Sequence, residues 1–600
     1  MAGEVLKRCE IDDKYKWHLE DLYATDELAE ADIAKIPEMA AEVASYKGHL
    51  ADSAESLYKC TMLMEDLSQI IDKVFCYARM HRDEDGTVTK YQAMSAKCMA
   101  AMSDAMSKLA FFTPEVIAIP DDTLAEYMQY EPLKMFEKYM EYILRTKAHV
   151  LSKEQETVLA AMAEATDAPS EIFTVFTNTN MPFPTVTNEE GQEVQLSQGR
   201  YISFMESDSR KVREETFNKM YDTYGQYIDT FATTFGYECK NHANDARVHN
   251  FGSALEAALY GDNISTDVYN NLIETIHQNL PTFHRYIALR KKLLGVEELH
   301  MYDLYTPLVE CDIKNIPYEK AQQMVLDGLA VLGEDYGNLL KESYNNGWID
   351  VYENVGKRSG AYSWGAYDTH PYVCLNYQGS INDVCTIAHE LGHSMHTYKT
   401  NNTQPYIYSN YTLFVAEVAS TVNEVLLLTD MINKSTDKRE KAFLINHFLE
   451  ECRGTLFRQT MFAEFERNAH QMVENGQPLT AEALNKMYYD LNKLYFGDGM
   501  VVDEKIKYEW SRIPHFYRNF YVYKYATGFS AANALASGIL AEGQPALDKY
   551  FGFLSAGCSD YPLNILKAAG VDMASPAPVQ ATCDKFAQML DLLEELTADL

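Results

Sequence analysis

Two histidines and a glutamate lie close together in the stretch TIAHELGHSMHTYK, residues 386–399. His389, Glu390 and His393 follow the pattern H-E-x-x-H, which places two imidazoles about one helical turn apart. Two imidazoles at this spacing can bind one zinc ion, and the glutamate beside them can act as a general base. With 16 histidines among 600 residues, and all 88 acidic residues counted as glutamate, chance would produce about 0.06 such matches. The pattern therefore indicates a metal site.

The same stretch predicts an amphipathic helix that would hold the two histidines. At about 100° per residue, apolar side chains fall on one face, and His389, His393 and His396 fall on the opposite face. The apolar residues are Val384, Ile387, Ala388, Leu391 and Met395. We therefore expect one buried face and one imidazole face. His396 is a candidate donor to the metal ligands, or else a packing residue.

A catalytic zinc ion usually binds three protein ligands, so the sequence should contain a third. The extended metzincin pattern requires Gly at 396 and His at 399; this sequence has His396 and Lys399, which excludes that class. An apolar helix predicted over 411–430 carries Glu417 and Glu424, and an unpaired buried carboxylate implies a cation or a proton. We predict Glu417 as the third ligand and Glu424 as the residue that orients a ligand histidine. A salt bridge would also explain either acid.

The rest of the chain indicates a mainly α fold. Long stretches combine Ala, Leu, Met, Glu and Lys at helical spacing with few Gly or Pro residues. A small β element is predicted over 182–204, and a second strand-like run, 360–378, precedes the zinc pattern. Within it, the part 370–378 could pair with an extended peptide or be a buried strand. From the change in pattern we divide the chain into an N-terminal helical domain, 1–190, and a catalytic metallopeptidase domain, 191–600.

Composition and charge disfavour several classes of protein. The 600 residues are 47% hydrophobic and 23% charged, which is typical of globular proteins. The 52 basic and 88 acidic residues give a net charge of −36, so neither nucleic acid nor an anionic membrane surface is an expected partner. No segment reaches the roughly 18 apolar residues of a membrane span, and the charged first residues do not resemble a secretory signal. Eleven scattered cysteines without a C-x-x-C pair predict reduced thiols and a cytoplasmic protein.

Several segments together resemble the oligoendopeptidase F branch of the thimet-oligopeptidase family of zinc metallopeptidases. They are GKRSGAY (356–362), HPYVCLNYQGS (370–380), HELGHSMH (389–396), FVAEVASTVNE (414–424) and PHFYRNFYVYKYATGFS (514–530). The resemblance covers most of the chain. It implies a zincin-type (gluzincin) fold, a helical ellipsoid with a deep substrate channel and a small β element near the active site. It also implies His389, His393 and Glu417 as zinc ligands, Glu390 as the catalytic base, and turnover of short peptides in the cytoplasm.

The aromatic segment 508–529 offers donors for the transition state. Negative charge develops on the scissile carbonyl oxygen, and a donor opposite the zinc ion is worth a few kcal/mol. Relatives in this family use a His and Tyr pair here, but the spacing in this sequence departs from the thimet-type pattern. We predict His515 with Tyr521 and Tyr525, since residues i and i+4 share a helix face. An aromatic core helix is the alternative.

The sequence therefore predicts one bound zinc ion and hydrolysis of internal peptide bonds in short oligopeptides. Zinc lowers the pKa of its bound water towards about 7, and Glu390 takes the proton and passes it to the leaving amine. A helical zinc carboxypeptidase or dipeptidase is the alternative. It requires a cationic site for the terminal carboxylate, for which Arg358, Arg512, Arg518 and Lys524 are candidates. A third possibility is a catalytically silent peptide-binding protein, and the sequence leaves the oligomeric state open.

Overall fold

Helices account for most of the chain in the computed structural model, which describes residues 5–309 and 315–598. The long straight-chain side chains that fill them lose little rotamer freedom in a helix, which favours this conformation. The α-helices are α1 Asp26–Ala44, α2 Ala54–Glu84, α3 Thr89–Leu109, α4 Phe112–Ala118, α5 Asp121–Tyr127, α6 Glu137–Thr146, α7 Lys153–Thr166, α8 Ala168–Val175, α9 Gln198–Met205, α10 Arg210–Gln226, α11 Ile228–Val248, α12 Ala254–Tyr260, α13 Thr266–Leu293, α14 Tyr318–Gly328, α15 Glu334–Asn345, α16 Ile381–Asn401, α17 Leu413–Lys434, α18 Lys438–Glu451, α19 Arg458–Glu474, α20 Ala481–Phe496, α21 Tyr523–Glu542, α22 Gln544–Leu554, α23 Pro562–Ala568 and α24 Ala577–Leu596. The mainly α fold predicted from the sequence is confirmed.

The chain forms two units, each assembled from segments that are separate in the sequence. The first unit comprises Met1–Ala148, Ile313–Asp430 and Leu535–Gly570, and the second comprises His149–Asp312, Met431–Ala534 and Val571–Leu600. The two domains expected from the sequence, 1–190 and 191–600, are continuous segments and do not coincide with these units. That division stays a prediction.

Within residues 5–309 and 315–598, five short strands form two small sheets. They are β1 Thr185–Thr187, β2 Glu193–Gln195, β3 Ile349–Asp350, β4 Tyr362–Trp364 and β5 Tyr372–Cys374. In the second unit, β1 and β2 form an antiparallel hairpin with Val186 opposite Val194. The β element predicted over 182–204 is therefore present, but it ends at Gln195, and residues 198–204 of that range belong to helix α9, Gln198–Met205.

The sheet of the first unit has the order β3-β5-β4. Its central strand, β5, is parallel to β3 and antiparallel to β4, and its three residues are at most 1% exposed. With a neighbour on each side, β5 has no edge on which a peptide could pair. The hypothesis that the run 370–378 pairs with a peptide is therefore wrong, and the buried alternative holds. One outer edge of this sheet belongs to β4.

The core of the first unit lies between its N-terminal helices and this sheet. Apolar residues of α1, α2 and α3 pack together and against Tyr372 and Cys374 of β5. Below the other side of the sheet lies α16, where the Ser363 and Ser394 hydroxyls are 2.8 Å apart. Among the described residues, no helix is long and apolar enough to cross a lipid bilayer.

Candidate metal centre

Helix α16 carries the H-E-x-x-H pattern, and its start is fixed by a capping box. The Ser380 hydroxyl accepts a hydrogen bond from the Asp383 amide at 3.1 Å, and the Asp383 carboxylate accepts one from the Ser380 amide at 2.8 Å. Its apolar face is buried as predicted. Val384, Ile387, Ala388, Leu391 and Met395 are all at most 1% exposed. The buried face therefore fixes the rotation of the helix and leaves His389 and His393 on the other side.

Helix α17 crosses α16 at very close range, and Gly392 is the point of approach. A Cβ atom at Gly392 would lie 2.5 Å from the Ser420 Cα and 2.7 Å from the Ala419 carbonyl oxygen. Close by, the Asn423 amide donates to the Ala388 carbonyl oxygen at 2.9 Å, which ties the two helices together. The missing side chain between Glu390 and His393 therefore sets how near α17 lies to the histidines.

The close crossing brings one carboxylate to both imidazoles. The Nε2 atoms of His389 and His393 are 3.2 Å apart, and Glu417 Oε2 lies 3.2 Å from the first and 3.3 Å from the second. Within the described residues, one group of three or more His, Cys, Asp or Glu side chains has ligand atoms that all lie within 4.8 Å of one another. It consists of these three residues. The structure thus brings together the three residues predicted as metal ligands.

We expect Gly392→Ala to disturb this arrangement. The new methyl group would meet backbone atoms of α17, which cannot rotate away as a side chain can, so the helices must separate. Overpacking of this kind costs about 1–3 kcal/mol of unfolding free energy, and it would also displace Glu417 from the histidines. Denaturant unfolding and zinc affinity both test this expectation.

The matched control for Gly392→Ala is Gly337→Ala, in α15, where a Cβ atom would meet nothing within 4 Å. This substitution should raise the unfolding free energy by about 0.5–1 kcal/mol, because alanine is the better helix former. Equal stability and equal zinc affinity of Gly392→Ala and the wild type would contradict the close-crossing argument.

Glu424 contacts the other side of His389. Its Oε1 lies 3.3 Å from His389 Nδ1, while Nε2 of the same ring faces Glu417. Burial alone lowers the pKa of His389, but the two carboxylates raise it well above its ordinary value. Burial likewise raises the pKa of Glu417, yet its contacts with the two histidines hold it well below the ordinary range. Negative charge from two glutamates therefore concentrates around one imidazole.

Glu390 lies on the buried side of the histidine pair and is 7% exposed. Burial raises the pKa of this carboxyl above its ordinary value, and the nearby His389 and His393 oppose that shift. A carboxyl group in such surroundings, next to the group formed by His389, His393 and Glu417, is positioned to accept and return a proton.

His396 lies in an aromatic environment. Its ring stacks on Tyr411 at a centroid distance of 3.8 Å and packs against Phe553 at 5.0 Å, and it is 1% exposed. Burial lowers the pKa of His396 to about 3. Aromatic rings therefore cover His396, so the face predicted opposite the apolar stripe is buried at this position. These contacts favour the packing alternative, and a role of His396 beside the ligands stays a prediction.

The predicted transition-state donors belong to the second unit and form a cluster of their own. Tyr525 Oη lies 3.3 Å from His515 Nε2, and the rings of Tyr521 and Tyr525 pack edge to face at 5.4 Å. The helical spacing assumed for them is wrong, because α21 begins only at Tyr523. A turn instead of a helix brings Tyr521 beside Tyr525. The roles of these three residues stay a prediction.

Sequence reasoning missed two features that shape this site. The first is Gly392, whose signal was a glycine in the interior of an otherwise uninterrupted amphipathic helix. The second is Asn423, which lies between the two predicted acids and accepts a hydrogen bond from Tyr336 Oη at 2.9 Å while its amide holds α16. A fully buried asparagine must satisfy its polar atoms, which was the available signal.

The site consists of two imidazoles one turn apart on a buried helix and a carboxylate from the next helix. This arrangement is that of a zincin-type metallopeptidase. The chain belongs to peptidase family M3: the sequence profile of that family matches residues 203–585, and the profile described as Oligopeptidase F matches residues 115–183. It is a metallo-endopeptidase. Residue 190, where the sequence-based division was drawn, lies between the two matched ranges.

Similar proteins support this assignment over nearly the whole chain. Oligopeptidase PepF of Bacillus subtilis is 46% identical over 596 residues, which cover 99% of this chain and 89% of the relative. Group B oligopeptidase PepB of Streptococcus agalactiae is 41% identical, with 98% of each chain covered. The crystal structure of oligoendopeptidase-F from Enterococcus faecium is 37% identical, with a TM-score of 0.75 over 96% of this chain and 100% of that one.

Proposed function

We propose that this peptidase binds one zinc ion through His389, His393 and Glu417 and hydrolyses internal bonds of short oligopeptides. The observation that carries the proposal is the convergence of the three ligand atoms. Zinc bonds of about 2.0–2.1 Å in a tetrahedral site place neighbouring ligand atoms about 3.3 Å apart. The distances of 3.2, 3.2 and 3.3 Å between these atoms match that value. Two imidazoles and one carboxylate are also a ligand set that catalytic zinc uses.

The protein residues around this site have distinct proposed tasks. When bound, zinc supplies Lewis acidity, which polarises a carbonyl group and makes water more acidic. Glu390 accepts a proton from the attacking water and then delivers it to the leaving amine. Glu424 holds His389 through Nδ1, so that Nε2 keeps its lone pair towards the point shared with His393 and Glu417.

Short peptides are the proposed substrates because the relatives are named oligopeptidases. Eleven scattered cysteines support a reducing compartment, and a cytoplasmic location is part of the proposal. An internally quenched peptide with both ends blocked tests the function, with product masses giving the cleaved bond. We expect internal cleavage by the zinc-loaded protein. Cleavage only of peptides with a free carboxyl end would favour the carboxypeptidase alternative instead.

Glu424→Gln should weaken zinc binding by about 10- to 100-fold, the usual effect of removing a carboxylate that orients a metal-bound histidine. The amide retains the shape but loses the charge that stabilises the Nδ1 proton of His389. Competition with a chromophoric chelator measures the affinity. Glu342→Gln, at an exposed position of α15, is the matched control and should leave the affinity unchanged. An unchanged zinc affinity in Glu424→Gln would show that Glu424 does not orient His389 for metal binding.

A further inference from the structure

A cationic cavity lies at the edge of the sheet in the first unit. It has a volume of about 370 Å³ and lies between α2 and the segment that forms β4. Phe75, Arg79 and Asp83 line it from α2, and Arg358, Tyr362 and Trp364 line it from the other side. Two arginines therefore line one cavity in a chain with a net charge of −36.

Both arginines contact the same buried carboxylate. Arg79 Nε lies 3.2 Å from Asp83 Oδ1, and Arg358 Nη1 lies 3.2 Å from Asp83 Oδ2. Tyr362 Oη also donates to Asp83, at 3.2 Å. One carboxylate balances only one of the two guanidinium groups, so the cavity keeps a net charge of about +1. The side chains of Arg79 and Arg358 are 31% and 49% exposed, which leaves them accessible to a ligand.

The cavity adjoins the open edge of β4. The Val373 amide of β5 donates to Trp348, on the β3 side. In an antiparallel pair the hydrogen-bonding direction alternates, so Ser363, opposite Val373, directs its N–H and C=O away from β5. An extended peptide can add to main-chain groups exposed in this way.

The two faces of β4 connect this edge with the metal helix and with the arginines. Ser363 points to α16, where its hydroxyl lies 2.8 Å from that of Ser394, the residue after His393. Tyr362 and Trp364 point to α2, where Trp364 packs on Phe75 at 5.6 Å. Side chains of an added strand alternate between the same two faces, so every second peptide residue would face α2.

We propose that Arg79 and Arg358 form a subsite that binds a carboxylate of the peptide substrate. The inference rests on the proposed function and adds a preference for anionic peptides. The carboxylate belongs to an Asp or Glu side chain or to the peptide's own C-terminus. A planar guanidinium pairs with either group through charge-assisted hydrogen bonds.

Two pairs of quenched peptides test the subsite. In the first pair both ends are blocked, and Glu or Gln is placed at each position in turn. In the second pair the C-terminus is free or amidated. We expect the wild type to cleave the anionic member of one pair with a kcat/KM about 10- to 100-fold higher, mainly through KM. The pair that shows the preference identifies the source of the carboxylate, and ratios near one in both pairs would overturn the proposal.

Arg79→Gln and Arg358→Gln should each lower this anionic-to-neutral ratio about tenfold or more. The ratio is independent of how much active protein each variant contains, so partial misfolding does not imitate the effect. Arg82→Gln is the matched control: it is the exposed neighbour on α2 outside the cavity, and it should keep the wild-type ratio. A ratio that persists in both cavity variants would show that the arginines only brace α2 against the sheet.

Binding separates a failure of the subsite from a failure of the proposed function. If the wild type leaves both the anionic and the neutral blocked peptide intact, the proposed endopeptidase activity fails. Fluorescence anisotropy with the labelled peptides of both pairs still measures the subsite in that case. We expect tighter binding of the anionic peptide, lost in Arg358→Gln and retained in Arg82→Gln.

Discussion

Glu390→Gln should lower kcat for a blocked peptide by about 10²- to 10⁴-fold, the range assigned to general acid–base catalysis. The carboxyl group lies beside the histidine pair but contributes no atom to the three-residue group. Glutamine has almost the same volume and remains polar, so the buried position is filled, but the amide cannot take up a proton. The loss should therefore fall on kcat, with KM and zinc content near their wild-type values.

Stopped assays at saturating peptide and metal analysis of the same preparation measure both quantities. Glu353→Gln, at an exposed position, controls for the chemical change and should have wild-type activity. A variant Glu390→Gln that cleaves peptides within a few-fold of the wild-type rate would exclude this residue as the base.

His393→Ala should have the second large effect, a loss of zinc affinity. It removes one of three ligand atoms and leaves Glu417 with a single imidazole. We expect zinc affinity to fall more than the 10- to 100-fold loss that follows from removing an outer contact such as Glu424. Peptide cleavage should then disappear at zinc concentrations that saturate the wild type.

The fold must survive this substitution for the result to be informative, and circular dichroism checks that. His49→Ala is the matched control, because this histidine also lies in the first unit but its side chain is 62% exposed. It should bind zinc like the wild type. Wild-type zinc affinity in His393→Ala would show that the metal binds elsewhere.

The metal helix was predictable because its signals are local. The apolar stripe and the two histidines all lie within one helix, where sequence spacing translates directly into position. Glu417 was predicted as a buried carboxylate in an apolar helix that needs a partner. The partners are present, but the side chain is 47% exposed. The distance between Glu417 and the two histidines could not be predicted from the sequence. That distance depends on the crossing of two helices at Gly392, which is a tertiary contact.

The aromatic segment shows where local reasoning fails. Phe520 has a positive φ of 49°, and its amide donates to the buried Glu466 carboxylate at 2.7 Å. This conformation ends any helical path before Tyr521. The sheet shows the same limit: β3 has only two residues, too few for a periodic signal, yet its pairing makes β5 the central strand. In both segments, contacts between residues far apart in the sequence, rather than local helix or strand propensity, determined the structure.

Titration of the metal-free protein with zinc tests whether His389, His393 and Glu417 form the catalytic metal site. Binding is followed by calorimetry, and cleavage of a blocked peptide is followed in the same samples. We expect both signals to rise together and reach their plateau at one zinc ion per chain, and we expect Glu417→Ala to abolish this step. Full peptidase activity in the metal-free protein, or an unchanged step in Glu417→Ala, would contradict this assignment.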